Sequence, residues 1–347
     1  MTGTITWMTG FNRNLPFNSV DISGYSDANF FANARDTVNK RTGLASLQLW
    51  TQTTWAAWVR RRIIGSPTNP SVSVAIYPRG YFNSSDSSQF PKLYLRYGAS
   101  TYVELRWNYD SHTMDLYIGG SKVASGGIEV SQNTWFHLQW KIDPDADTIQ
   151  VKIDGHLSID YTSYTQEYEY DYCYLLGGKY ALQGVPTICN FDDWCIGYGD
   201  WFGDVRIDSL VPDGDSTVQW DRSAEDANYK TIDETPESDT DYNFTKVDGE
   251  YDKIDVEDWD DYDEVLDVYK EPIAVMAWVR SKVDVATGEF IAVGVDSAGT
   301  VDTTQHALAY AYEFYEHIMQ NNPADDAPWE DADIDAVELY YEAVLGA

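Results

Sequence analysis

Residues 135–161, WFHLQWKIDPDADTIQVKIDGHLSIDY, alternate apolar and polar side chains across two tight turns, which restricts the segment to three consecutive antiparallel strands. In the first strand Phe136, Leu138, Trp140 and Ile142 fall on one face, while His137, Gln139 and Lys141 fall on the other. That is the period of two expected of a half-buried strand. Pro144-Asp145-Ala146-Asp147 supplies the first turn, and Ile149, Val151 and Ile153 resume the alternation. Asp154-Gly155 is the residue pair best suited to a two-residue hairpin with positive φ, and Leu157, Ile159 and Tyr161 form the return strand.

The rest of the N-terminal part continues in the same style. GLASLQLW (43–50) and TTWAAWVRRRII (53–64) read as paired strands, with Leu44, Leu47, Leu49, Trp55, Trp58 and Ile63 as core candidates. SVSVAIYP (71–78), KLYLRYG (92–98), YVELRWNY (102–109) and MDLYIGG (114–120) follow, separated by Gly, Ser, Asn and Pro. Short, evenly spaced strands with turn residues between them predict a sandwich, and 13 Trp, 26 Tyr and 12 Phe among 347 residues favour strands over helices. The length suits two domains better than one.

Charge divides the chain in the same way. Residues 1–213 hold 22 acids and 16 bases, whereas residues 214–347 hold 35 acids and 7 bases, so most of the net charge of −34 lies in the second part. Such a field repels phosphate backbones and anionic membranes, which argues against nucleic-acid binding and membrane insertion. The excess of Asp over Lys resembles proteins from high-salt habitats. The acidic part is expected to face solvent, with cations as candidate compensation. In EYDKIDVEDWDDYDEVLDVYKE (250–271), Ile254, Val256, Trp259, Val265, Leu266 and Val268 still offer an inward face, giving a strand or short helix under a charged surface.

The core hairpins, a tryptophan-led strand followed by one ending in IDG, resemble those of the laminin-G and concanavalin A-like jelly rolls. A second resemblance rests on an ordered set: GDVRIDSLVPDGD (203–215), Trp220, NYKTIDETPESDTDY (228–242), IAVMAWVRSK (273–282), FIAVGV (290–295) and PADDAPWEDADIDAVELYYEAV (323–344). This order is similar to that of virion proteins of tailed viruses, in which a lectin-like sandwich precedes a second β-domain. The likeness spans residues 130–345, and the strongly acidic 249–271 stretch departs from it. It implies an all-β chain of two sandwich domains, a concanavalin A-like jelly roll over 1–213 and an acidic β-domain over 214–347, with a short C-terminal helix over 329–337. It further implies a homo-oligomeric virion component (vertex turret, capsid decoration or tail appendage) that is assembled in the host cytoplasm with other virion proteins and is open to host-surface glycans. Residues 304–319, TQHALAYAYEFYEHIM, fit either period; the resemblance favours a strand, and that is the expectation here.

Chemistry-bearing motifs are sparse. Glu167, Glu169 and Asp171 in QEYEYDY would line one face of a strand, the arrangement two-carboxylate glycosidases need, but they depart from the E-x-D-x-E order of laminarinase-like enzymes, and no catalysis is expected. Asp192, Asp193, Asp200 and Asp204 are candidate oxygen ligands for calcium, with ordinary turn aspartates as the alternative. Tyr77, Tyr81, Phe82, Tyr168, Tyr170 and Tyr172, with Tyr174, are candidate stacking platforms for sugar rings; burial against a neighbouring subunit is the alternative. Arg60-Arg61-Arg62 has the look of an anion site, but no Gly-rich cradle accompanies it, and a solvated strand end or a contact with a neighbouring acidic chain is the favoured reading. Cys173, Cys189 and Cys195 have no metal-site spacing and read as buried free thiols. The five histidines are scattered, and no organic cofactor is called for. MTGTITWMTGFNRN carries no signal-peptide pattern, so cytosolic synthesis is expected.

Overall fold

The computed structural model describes residues 4–9, 20–23, 35–42, 46–49, 57–63, 65, 67–79, 91–98, 101–108, 110–178, 188–232, 241–259, 262–263, 268–269, 271–284 and 288–345. The chain forms two compact units, the first ending at Asp208 and the second running from Ser209 to the C-terminus. Both are built of antiparallel strands.

Unit 1 contains β1 (Thr4–Thr9), β2 (Val20–Ser23), β3 (Arg35–Asp36), β4 (Ser46–Leu49), β5 (Ala57–Arg62), β6 (Pro70–Arg79), β7 (Lys92–Tyr97) and β8 (Thr101–Asn108). It continues with β9 (Thr113–Ile118), β10 (Ser121–Ser125), β11 (Phe136–Asp143), β12 (Thr148–Ile153), β13 (His156–Tyr161), β14 (Tyr172–Gly178) and β15 (Ile188–Tyr198). An eight-stranded sheet runs β13-β12-β11-β6-β15-β4-β3, with β1 also paired to β15; a seven-stranded sheet runs β10-β9-β8-β7-β14-β5-β2. Their inner faces supply one core, including Val72, Val74, Leu138, Trp140 and Phe191 from the first sheet and Val59, Leu93, Leu95, Val103, Leu105 and Leu175 from the second. The sheets approach so closely that a Cβ on Gly177 of β14 would lie 2.3 Å from Leu49 Cβ. Alternation along each strand dictates this packing: every second residue faces the partner sheet.

The 135–161 reading holds in register. Leu138 to Asp143 pair with Ile153 to Thr148, and Asp154 and Gly155 turn with φ of 48° and 78°, the positive values this two-residue hairpin demands. The half-buried expectation does not hold, because His137 and Gln139 are buried as well as their apolar neighbours. Nor do the 43–50 and 53–64 segments pair with each other. β4 pairs with β15 and β3, whereas β5 pairs with β14 and β2 in the opposite sheet. Leu44 and Trp55 lie outside the described residues.

Unit 2 has β16 (Pro212–Thr217), β17 (Asp221–Arg222), β18 (Asn243–Phe244), β19 (Tyr251–Val256), β20 (Tyr262–Asp263), β21 (Val268–Tyr269), β22 (Val275–Ser281), β23 (Phe290–Ser297), β24 (Thr300–Ala307), β25 (Glu313–Met319), α1 (Asp331–Ile334) and β26 (Val337–Val344). A five-stranded sheet runs β16-β19-β26-β23-β24, and three two-stranded pairs, β17-β18, β20-β21 and β22-β25, complete the unit. Its core gathers Ile254, Ile291, Val293, Val295, Tyr315, Met319, Trp329, Ile334 and Tyr341. Residues 304–319 are not one strand: β24 ends at Ala307 and β25 begins at Glu313, with Leu308 N donating to Glu289 O and Ala309 N to the Tyr315 hydroxyl in the bend. The helix expected over 329–337 is only α1, because Val337 already enters the ladder with β23; its capping box joins Glu330 and Asp333. In the acidic stretch β19 forms as one of the two expected alternatives, with Ile254 buried and Lys253 paired to Asp296 and, at 3.8 Å, Glu338.

Candidate functional site: the outer face of the seven-stranded sheet

Residues that alternate with the core define the outer face of the seven-stranded sheet, and register aligns them into transverse rows. Arg60, Tyr174, Tyr94, Glu104 and Tyr117 occupy successive strands of one row, from β5 to β9, and Lys122 of β10 follows Tyr117. On one side of it run Arg62, Tyr172, Arg96 and Tyr102; on the other, Trp58, Leu176, Lys92, Arg106 and Asp115. Neighbouring strands lie about 4.8 Å apart, so adjacent members of a row are in side-chain contact.

The contacts are specific. Tyr94 and Tyr174 stack with ring centroids 4.0 Å apart, and the Tyr174 hydroxyl accepts from Arg60 Nη1 at 2.8 Å and Arg96 Nη1 at 2.9 Å. Arg60 lies 4.4 Å over the Tyr172 ring and Arg106 3.9 Å over Tyr117, while Arg106 also pairs with Glu104. Asp115 is held by Lys122 Nζ at 2.7 Å and Asn108 Nδ2 at 2.8 Å. Burial raises the Tyr94 hydroxyl, with the adjacent Tyr174 adding to it. The result is a platform of rings whose orientations are fixed by cation–π and hydrogen-bond contacts, with Arg62 and Lys122 exposed at its margins. Tyrosine and tryptophan faces stack on the apolar faces of sugars, and fixed polar groups between them can select hydroxyl or charged substituents.

The opposite face, on the eight-stranded sheet, is closed. There β15 carries a bulge between Asp192 and Cys195 with Asp193 at φ 49°, which turns both aspartates toward residues 41–42 and 199–207. Arg41 Nη1 meets Asp193 at 3.2 Å, its Nη2 meets Asp204, and Arg41 N and Thr42 N donate to Asp192 at 2.9 and 3.3 Å. Ile207 N donates to Asp193 at 2.8 Å, and Lys152 Nζ sits 4.2 Å over Trp201, so the irregular strap 199–207 lies across the sheet with its own Phe202, Val205 and Ile207 buried. Burial, then the charge of Asp193, pushes the Asp192 carboxyl up to about 8.

Ser73 Oγ lies 2.7 Å from His137 Nε2, and His137 Nδ1 lies 3.6 Å from Asp204 Oδ1, the connectivity of a nucleophile, base and acid. Ser73 and His137 have 0% exposure, however, so no substrate reaches the hydroxyl in this conformation. Burial drives the His137 pKa down to about 3, leaving a neutral imidazole that serves as a hydrogen-bonded plug under the strap.

The sequence candidates are thus redistributed. Asp192, Asp193 and Asp204 do come together, around the Arg41 guanidinium; Asp200 stands apart, 3.5 Å from Lys141 Nζ. Among the described residues no group of three or more His, Cys, Asp or Glu side chains is placed to hold a metal ion. Tyr172 joins the ring platform with part of its side chain exposed, whereas Tyr174 supports it from a buried position, 2% exposed and packed against Tyr94, Arg60 and Arg96. Tyr168 stacks on Tyr97 at 5.2 Å beyond its end, and Tyr77 faces Trp135 from β6 in the other sheet. Tyr170 is corrected: it is fully buried and hydrogen-bonded to Tyr164, so its ring presents no surface to a ligand. Tyr81 and Phe82 lie outside the described residues. Glu167, Glu169 and Asp171 do not line a strand face, since β14 begins only at Tyr172 and both glutamates point to solvent from an irregular segment. Of the arginine triplet, Arg60 and Arg62 join the outer face, and Arg61 turns inward over Trp7 at 5.1 Å. Cys173, Cys189 and Cys195 are buried free thiols.

No family model matches the chain, and no curated protein matches it. Solved structures do. A sialidase matches with a TM-score of 0.35 and 12% identity over 53% of this chain, which spans only 17% of the sialidase. A carbohydrate binding module, CBM66 from Bacillus subtilis, matches at 0.32 and 10%, over 52% of this chain and 95% of the module. A Bacillus subtilis protein of unknown function with a galectin-like fold matches at 0.36 and 11%, over 57% and 97%. At these scores the likenesses stand as observations, and the functional reading is drawn from the chain's own residues.

Proposed function

We propose that this chain is a structural component of a tailed virus particle, a vertex turret, capsid decoration or tail appendage, whose first unit recognises glycans through the outer face of the seven-stranded sheet. The observation that carries glycan recognition is the partly exposed Tyr94 ring, stacked on the buried Tyr174 whose hydroxyl holds two arginines, in a row of rings and charged groups. Strand-borne rings lose little conformational freedom on binding, which suits recognition of a flexible polymer. The particle role rests on the ordered sequence resemblance over residues 130–345, and its partners would be other virion proteins, further copies of this chain and a host-surface glycan.

Two experiments test these halves separately. Binding of the intact protein to an immobilised glycan panel, repeated with Tyr94→Ala, supports recognition by this face if the variant loses the signals; an unaffected variant contradicts it. Immunogold electron microscopy with antibodies to the chain should label intact particles at positions of defined symmetry, and particles without label would end the structural role.

A further inference from the structure

We infer that the ligand of this face is an anionic polysaccharide, one bearing carboxylate or sulfate groups; the inference rests on the glycan reading above. Its basis is a local reversal of charge. The chain as a whole carries a net charge of −34 with only 23 Lys and Arg residues. Yet, among the described residues, the strand registers of this outer face set Arg60, Arg62, Lys92, Arg96, Arg106 and Lys122 beside Glu104, Asp115 and the register position of Asp21 opposite Arg60. Six bases against three acids leave a positive surface on a strongly negative protein.

The bases are also distributed in a way a polymer can use. They lie in all three rows and on four strands, β5, β7, β8 and β10, with rings between them rather than in one cluster. Arg60 and Arg96 converge on the hydroxyl of Tyr174. Guanidinium groups so oriented have N–H donors of the planar geometry that matches carboxylate and sulfate oxygens, and the stacked rings beside them fit the CH faces of the same sugars. A neutral glycan is best held by amides and by carboxylates that accept from its hydroxyls; here Glu104 and Asp115 are already bound to Arg106 and Lys122. A nucleic acid is a poorer match, because the net charge of the rest of the chain repels a dense phosphate backbone. High ionic strength, with a screening length of about 3 Å at 1 M salt, suppresses that long-range repulsion while leaving hydrogen-bonded contact pairs in place.

The test uses the full chain and three probes, polygalacturonate, dextran sulfate and neutral dextran, with calorimetric or electrophoretic affinity measured for the parent, Arg62→Glu and Arg96→Gln. Arg62 is exposed, so its replacement leaves folding intact, which a thermal melt checks. The expected result is binding of at least one polyanion, with dextran bound at least about tenfold more weakly and each variant weakening the polyanion about tenfold, as loss of one charge-assisted hydrogen bond predicts. Preference for polygalacturonate identifies carboxylate as the group read, and preference for dextran sulfate identifies sulfate. Equal affinity for dextran, or variants that bind polyanions as well as the parent, overturns the anionic assignment while glycan recognition stands. Failure of all three probes removes the glycan reading as well. Dissociation of an oligomer by Arg62→Glu without any glycan binding would assign the face to the acidic surface of a second copy instead.

Discussion

Replacing Arg41 by Ala should damage unit 1 more than any surface substitution, and the structure sets the scale. The Arg41 side chain is 8% exposed and that of Asp193 is 0% exposed, with 3.2 Å between Nη1 and Oδ2. Deleting one partner of such a pair strands the other charge, at a cost of about 3–5 kcal/mol. The contact with Asp204 contributes little, because that carboxylate is 49% exposed and surface pairs are worth about 0–1 kcal/mol. For a unit of this size each kcal/mol shifts the melting temperature by about 2–4 °C, so the transition of unit 1 should fall by roughly 6–20 °C. Protonation can relieve a stranded aspartate, hence the loss should be larger at pH 8 than at pH 5. Differential scanning calorimetry of the full chain at both pH values reads the effect, and the Arg41→Met, Asp193→Asn double variant should recover more than half of it. A shift below about 2 °C at both pH values would refute the view that this pair clamps the strap to the sheet.

Further outcomes follow from neighbouring features. Because burial raises Asp192 to about 8 in the folded chain, the folded state binds its proton more tightly than the unfolded one; the stability this confers is complete below the ordinary carboxylate range near pH 4 and is lost as pH rises through about 8. Thermal melts between pH 4 and 9 should show that decline, and Asp192→Asn should flatten it; a parent that gains stability over this range contradicts the assignment. In unit 2, a Cβ on Gly294 would sit 1.8 Å from Asp302 O across the β23–β24 ladder, so Gly294→Ala should destabilise by at least the roughly 1–3 kcal/mol typical of overpacking, read as a lower urea midpoint. Asp252, fully buried, accepts from Gln219 N, Trp220 N, Asn228 Nδ2 and the Tyr341 hydroxyl. Asp252→Ala leaves those donors without an acceptor and should cost at least about 2 kcal/mol by the same assay, whereas an unchanged midpoint would show that water replaces the carboxylate.

Local alternation carried the strands of unit 1, because half-buried sheets write a period of two into the chain and Asp154-Gly155 names its own turn. What lay beyond reach was register and crossover. KLYLRY and YVELRW each display an outward Tyr or Glu two residues before an outward Arg, a visible hint of a shared polar face, yet only the pairing of Tyr94 with Glu104 and Tyr174 makes them one surface. Of the tyrosines singled out in the sequence, Tyr172 and Tyr174 do belong to that face, whereas Tyr170 is buried. The burial of His137 and Gln139 was equally hidden, since it depends on Arg41 meeting Asp193 across 152 residues of sequence to hold a strap over a face that alternation alone leaves open. In unit 2, α1 came out shorter than its acidic first turn implies, because strand pairing from Val337 outcompetes a helix with few internal hydrogen bonds.

A glycan bound by this protein should lie on the ring-lined outer face of the seven-stranded sheet. Crystallography of the full chain soaked with oligosaccharides of the bound polymer tests it most directly. Sugar density should lie along the row from Arg60 past Tyr94 to Tyr117. Density confined to unit 2 or to the strap side of the eight-stranded sheet, with this face empty, would contradict it.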